Sequence, residues 1–258
     1  MIITTAGRTN AHYVHEAQAL AEQYQITYIE RKGVAVERLK QEYHTDVLVA
    51  GKNGLYLSPQ ELQSDVFFHP NVAMVRAKRL FKGEEDPLIQ ATGLKSGMSF
   101  LDCTLGLASD AIIASIAVGP SGIVTGVEGS FPLYLLVKEG LKRYQSGNQA
   151  LLDAMKQIDV KQTAHLPFLQ NTETNAYDVV YFDPMFQEKI DSSDGIKGLR
   201  SRSITEAITE RTIAEAKRVA RKRVVLKDHY KSERFTEFGF NQQRRKTALF
   251  HYGIIEIS

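Results

Sequence analysis

The tetrapeptide Asp183-Pro184-Met185-Phe186 closes the apolar run Tyr177-Asp178-Val179-Val180-Tyr181-Phe182. An acid, a proline and an aromatic at the carboxyl end of a buried strand form a compact mouth rich in hydrogen-bond acceptors. It suits gripping the amino group of a planar heteroaromatic. Such an amine is a poor nucleophile because its lone pair is delocalised into the ring. Hydrogen bonds from its protons to the Asp183 carboxylate and a nearby backbone carbonyl would localise that lone pair and aim it for in-line displacement. Positioning then supplies most of the rate, with no strong base needed before attack. Phe186 would either stack on the base, a contact worth roughly 1–3 kcal/mol, or fill the core. A base in a duplex would first have to be flipped out. Asp and Pro also favour turns, so the tetrapeptide gains its meaning from its company.

That company lies about 80 residues upstream, at Leu101-Asp102-Cys103-Thr104-Leu105-Gly106-Leu107-Ala108-Ser109-Asp110. Gly106 lets backbone approach a ligand closely, and Ala108 and Ser109 are too small to obstruct it. Glu128 ends the next strand, 22 residues after Gly106, where an acid can accept hydrogen bonds from both hydroxyls of a ribose. The loop lacks G-x-G-x-x-G and G-K-[ST], which disfavours a dinucleotide and excludes a P-loop. One glycine and an acidic strand tip fit an adenosine ligand without phosphate, and S-adenosylmethionine is the candidate. Its charged tail would lie over the Asp102–Thr104–Gly106 turn and its ribose at Glu128. The competing reading is a tight strand-to-helix turn with an exposed acid.

Other residues carry less. His165 falls at the end of the third strand, near where an adenine would rest, or is an ordinary satisfied histidine. Asp110 opens a helix, where an acid is favourable, and also lies near the methionine carboxylate. Cys103 has no activating partner and reads as a small buried residue. Lys227-Asp228-His229 closes the fifth strand at the same sheet edge, facing the substrate. A single cysteine excludes a disulfide framework, and no Cys/His cluster has zinc spacing, so no metal is expected.

The elements that must position these groups fall into two parts. Residues 1–95 read as a small N-terminal α/β domain with possible RNA or substrate contact. Strands are expected at Ile2–Thr5, Ile26–Ile29, Val47–Ala50 and Leu55–Leu57, and helices around Val14–Ala21, Val34–Tyr43 and Asn71–Phe81. Residues 96–258 alternate strand and helix as a doubly wound, mostly parallel sheet does. Strands are expected at Ser99–Cys103, Ile123–Glu128, Ile158–Gln162, Val179–Asp183 and Arg223–Asp228. Helices are expected at Asp110–Val118, Leu133–Tyr144, Leu151–Met155 and Ile204–Val219, with terminal strands from Thr247–Ile257. Hydrophobic content of 43% and charged content of 24% suit a soluble chain. No segment reaches the length of a membrane span and the first residues lack a signal pattern, so a cytoplasmic location is expected. The net charge is only +2, but Arg200 to Lys246 holds fourteen Lys/Arg against six Asp/Glu. The dense run Lys217–Arg223 reads equally as a solvated helix end or a phosphate-contacting face.

Taken together, these motifs resemble the class I S-adenosylmethionine-dependent methyltransferases, specifically the bacterial J-type small-subunit (16S) rRNA guanine-N2 methyltransferases and their relatives. The resemblance spans about residues 68–252. It rests on Phe68-His69-Pro70 with the basic Arg76 to Arg79 helix, on Leu101 to Ala111, Val127-Glu128, Val180 to Phe186 and Val224 to Lys227. Asp183-Pro184-Met185-Phe186 is a variant of the family's [DN]-P-P-[YF] motif. The family loop carries a second glycine and an arginine where Ala108 and Ser109 stand here, and residue 187 is Gln rather than proline.

The resemblance implies a Rossmann-like, seven-stranded fold and adds to the turn residues Asp102, Thr104 and Gly106 further S-adenosylmethionine contacts at Ser109, Asp110, Glu128, Gly129, Ala164, His165 and Asp183. Catalysis falls to Asp183, Pro184, Met185 and Phe186. RNA, as rRNA or tRNA, is the expected partner, bound through Arg76, Lys78, Arg79, Lys227, Arg244, Arg245 and Lys246. The expected reaction is methylation of an exocyclic amine of an RNA base, guanine N2 in rRNA. The alternatives are transfer to a small-molecule or protein amine, or RNA binding without turnover.

Overall fold

The computed structural model describes residues 1–62, 64–145, 147–184 and 207–258; Met185, Phe186 and Gln187 lie outside them. Two compact units appear.

The first unit comprises Met1–His69 and Phe131–Arg143. Its elements are β1 (Ile2–Thr5), α1 (Ala11–Tyr24), β2 (Thr27–Tyr28), α2 (Val36–Tyr43), β3 (Val47–Gly51), β4 (Gly54–Ser58) and β5 (Val66–Phe67). The strands form a sheet in the order β2-β1-β3-β4-β5. Both faces are covered, and β1 and β3 are buried throughout. Ala17, Leu20 and Ala21 of α1 pack on Ile3, Leu48 and Ala50, while Leu39 of α2 packs on Ile2, Val47 and Val49. The helix at Phe131–Arg143, α6 in chain order, joins the first face through Leu135. A methyl group at Gly140 would meet the Phe68 ring at 2.2 Å, so glycine there lets the ring lie against helix backbone.

The second unit holds α3 (Asn71–Leu80), α4 (Pro87–Thr92), β6 (Ser99–Asp102), α5 (Ser109–Val118), β7 (Ile123–Glu128), α7 (Gln149–Gln157), β8 (Asp159–Gln162), α8 (His165–Gln170) and β9 (Tyr177–Phe182). After these come α9 (Glu210–Val219), β10 (Ala220–His229), α10 (Arg234–Glu237), β11 (Asn241–Gln243) and β12 (Phe250–Glu256). The seven-stranded sheet runs β11-β12-β10-β9-β6-β7-β8. β6 pairs parallel with β7 and β9, and β10 parallel with β9. Only β11 and β12 run antiparallel. This is the doubly wound, Rossmann-like sheet expected from the alternation of elements.

Of the helix expected over Ile204–Val219, residues 204–206 lie outside the described residues, and the described helix runs Glu210–Val219. Thr209 caps it, its hydroxyl accepting from Thr212 N–H at 3.2 Å while Thr212 Oγ1 accepts from Thr209 N–H at 3.3 Å. Helix α4 was not expected, although Asp86 at its N-cap, Pro87 in its first turn and Gly93 in the left-handed conformation at its end are start and stop signals. It is too short for periodicity to show.

The chain runs from β6 outward through β7 to β8, then returns to the other side of β6 for β9. The gap between β6 and β9 is therefore the topological switch point, where ligands of open α/β sheets bind at the carboxyl ends of the strands.

Candidate active site

Asp102 and Asp183 end the two strands that flank the switch point. Thr104 ties them together: its backbone N–H donates to the Asp102 carboxylate at 3.0 Å, and its hydroxyl oxygen accepts from the Asp183 N–H at 2.6 Å. Cys103 N–H donates to the Tyr181 carbonyl at 2.9 Å, which continues the sheet register into the loop.

The loop then turns through two left-handed residues, Gly106 (φ 50°) and Ala108 (φ 61°). Only glycine adopts that conformation without strain. Ala108 holds it buried, at the position where the resembling family carries its second glycine. Strain of this kind gathers at ligand clamps. Leu105 anchors the loop by packing on Gly126, where a methyl group would come within 2.4 Å of Leu105 Cδ1. Helix α5 starts immediately after Ala108 with no side-chain cap, so its first-turn N–H groups face the strand ends and suit a carboxylate.

Glu128 ends β7 and accepts from Gly106 N–H at 3.2 Å and Ser130 N–H at 2.8 Å. Burial pushes its carboxyl up to about 7 against those donors. Burial likewise raises Asp102 to about 8. Gly129 follows Glu128 directly, and Ala164 caps α8, which His165 opens. The His165 ring is only 7% exposed and meets Phe182 edge-on, with centroids 6.0 Å apart. Burial, then Asp102, raises the Cys103 thiol, which suits a packing residue and not a nucleophile.

Asp110 stands in the first turn of α5, as expected. It is the hub of a buried ionic cluster, accepting from Arg76, from the Tyr181 hydroxyl at 2.7 Å and from Lys227 Nζ at 3.0 Å. Burial opposes its ionisation, but Lys227 and Arg76 outweigh that and hold it below the usual carboxylate range. All three donors come from the protein itself. Arg76 also grips Asp86 through two bonds of 2.8 Å. Lys227 donates to Asp110 and, at 2.6 Å, to Asp183. It is a strut of the site, only 15% exposed. The three share one physical feature: buried charges are satisfied by one another.

Burial pushes the Asp183 carboxyl up and Lys227 pulls it down, leaving it at about 6. Asp102, Glu128 and Asp183 are therefore all raised above their unfolded values. Such groups contribute stability below the ordinary carboxylate range that is lost as pH rises through 6 to 8. The cofactor-free chain is expected to lose unfolding free energy across about pH 5–8, and Asp102→Asn to flatten that slope. Urea midpoints measured at each pH check this.

The basic run divides by sheet edge. Lys217–Arg223 lies at the end of α9 and the start of β10, the amino edge opposite Asp183. There Arg218 pairs with Glu215, Arg221 and Lys222 with Asp178, and Arg223 with Glu256. Arg244, Arg245 and Lys246 precede β12 at the carboxyl edge, because Phe250 pairs with His229. Arg244 and Lys246 are exposed, whereas the Arg245 guanidinium lies 5.2 Å over the Phe250 ring. Lys78 is exposed on α3, and Arg79 pairs with Glu84. Among the described residues, no helix is long and apolar enough to cross a membrane.

The chain matches the family model "Putative SAM-dependent methyltransferase" over residues 29–247. It is 47% identical to the uncharacterized protein YpiP of Bacillus subtilis (strain 168) over 257 residues, the full length of both. It is 29% identical to ribosomal RNA small subunit methyltransferase J of Nitrosococcus oceani over 190 residues, 71% of this chain and 73% of that one. Its fold is shared with the SAM-dependent methyltransferase NGO1261 from Neisseria gonorrhoeae, at a TM-score of 0.65 and 16% identity over 99% of this chain and 96% of that one. The glycine-bearing loop, uncapped helix start and acidic strand tip of the site agree with the match, and the chain belongs to the SAM-dependent methyltransferase family, with S-adenosylmethionine as its cofactor.

Proposed function

We propose that this chain transfers a methyl group to an exocyclic amine of an RNA base, with guanine N2 of rRNA as the first target to test. One observation carries the reading: Asp183, followed by Pro184, stands at the switch point with its carboxylate Oδ2 fixed by Lys227. The likeness to rRNA small-subunit methyltransferases J supports RNA as the substrate class. Bound S-adenosylmethionine supplies an electrophilic methyl group. Glu128 and Gly129 would hold its ribose, the Asp102–Gly106 turn and Ser109 its amino-acid tail, and Ala164 and His165 would border its adenine.

Lys227 holds Oδ2 of Asp183, and in this reading Oδ1 accepts an N–H of the base amine. Methylation leaves that nitrogen with a surplus proton, and Asp183 is placed to accept it. A carboxyl pushed up to about 6 takes such a proton more readily than an ordinary one. Pro184, with Met185 and Phe186, would border the base. In this reading residues 1–95 serve substrate contact, residues 96–258 perform the transfer, and the enzyme works in the cytoplasm.

Glu128→Ala is expected to weaken S-adenosylmethionine binding about 10- to 100-fold, the loss of hydrogen bonds to a charged acceptor. Unchanged affinity in calorimetry rules out the ribose assignment. The substrate is tested by tritiated methyl transfer to total RNA from a strain lacking the gene, followed by nucleoside mass spectrometry. Label in a methylated guanosine supports the proposal; transfer to protein or metabolite with none to RNA overturns it.

A further inference from the structure

Beyond the groups assigned so far, the carboxyl edge of β10 presents an aromatic pile. Tyr230 is 41% exposed. Its ring lies against His229, centroids 4.6 Å apart, and His251 at 5.9 Å, with the Lys231 ammonium 5.5 Å from its own centroid. The pile is held from behind. Tyr230 N–H donates to the Leu249 carbonyl at 3.1 Å, and the His251 ring is bracketed by Gln242 at 2.9 Å and the Arg245 backbone at 3.1 Å. Its orientation therefore needs little further ordering on binding.

Charge accumulates at the same place. Arg234 is spent on Asp228 and Lys227 on Asp110 and Asp183. Lys231, Arg244 and Lys246 are exposed and form no ion pair with the described residues. The nearest acids in sequence to Lys231 are Glu233, exposed on the neighbouring turn, and Asp228, which is paired with Arg234. β10 lies beside β9 with Leu226 opposite Phe182, so the pile stands a few residues past the strand position next to Asp183. Aromatic faces interleaved with unneutralised cations recognise single-stranded nucleic acid, stacking bases and neutralising phosphates.

We propose that Tyr230 is the stacking platform for a base flanking the reacting one, with Lys231, Arg244 and Lys246 binding the phosphates of that single-stranded RNA segment. This rests on RNA as the substrate class. Stacking tolerates any sequence, so a dye-labelled, mixed-sequence single-stranded oligoribonucleotide is a sufficient probe. In fluorescence anisotropy, Tyr230→Leu and Tyr230→Ala are expected to weaken binding about 5- to 100-fold, while Tyr230→Phe retains it. The salt slope should survive all three substitutions. It should fall by about 0.7 for each of Lys231, Arg244 and Lys246 replaced by Gln. A Tyr230→Leu protein that binds as tightly as the parent, when the parent methylates RNA, overturns the platform alone. Weak, salt-insensitive binding by the parent with no methyl transfer to RNA overturns the platform and the RNA reading together.

Discussion

Asp183→Ala is expected to lower methyl transfer at least 10²- to 10³-fold, about the loss seen when one preorganised hydrogen-bonding group is removed from a catalytic site. The protein should stay folded. Lys227 keeps Asp110 at 3.0 Å, so the substitution leaves no orphaned buried cation. Asp183→Asn retains an acceptor oxygen but places an amide against Lys227, and its loss should be smaller than that of alanine. A pH signature separates the proposed role from a structural one. Asp183 must be ionised to accept the amine proton, and its carboxyl lies at about 6. The rate should therefore fall about tenfold per unit below pH 6 in the parent, and that limb should vanish in Asp183→Asn. Single-turnover methyl transfer against pH measures both. Full activity in Asp183→Ala would sink the mechanism.

The motif at Asp183 was legible in the sequence because strand ends in a parallel sheet are marked by abrupt change, an apolar run meeting acid and proline. The same holds for Asp102 and Glu128, each the last residue of a buried strand. Alternation of strand and helix gave the sheet, and right-handed crossover then places every β-to-α loop on one edge. What could not be read was pairing across the chain. Asp110 and Arg76 are 34 residues apart and Lys227 is 117 residues beyond Asp110. Nothing local distinguishes an arginine that will fold inward from one that will meet phosphate. A basic helix containing Arg76, Lys78 and Arg79 has the same composition in both cases. The contrast inside it is periodic: Ala73 and Ala77 are buried, and Arg76 borders that face while Lys78 points away. Likewise, sheet direction separates Lys217–Arg223 from Arg244–Lys246, and direction requires knowing that β12 runs antiparallel.

The largest stability effect is expected at Asp110, and it follows from the same pairing. Asp110→Ala removes the carboxylate that, among the described residues, Arg76, Lys227 and the Tyr181 hydroxyl share. Arg76 retains Asp86 and Lys227 retains Asp183, so neither cation is left wholly alone, yet the side chains stay 19% and 15% exposed with one partner each. Breaking a buried ion pair on one side costs about 3–5 kcal/mol because the remaining charge stays desolvated, and a loss near 3 kcal/mol is expected here. Asp86→Ala should cost less, since Asp110 still holds Arg76 and Asp86 bears on one cation instead of two. The pH dependence has a definite sign. The folded Asp110 carboxyl is lowered, so its stabilisation is present above the unfolded value near 4 and fades as pH falls below it. The gap between parent and Asp110→Ala should therefore narrow below about pH 4. Urea unfolding at pH 7 and pH 3.5 reads both numbers. A double-mutant cycle with Lys227→Met should return a coupling of about 0.5–3 kcal/mol. A cost below about 1 kcal/mol at pH 7, or a gap independent of pH, would mean that Asp110 is not the hub of the cluster.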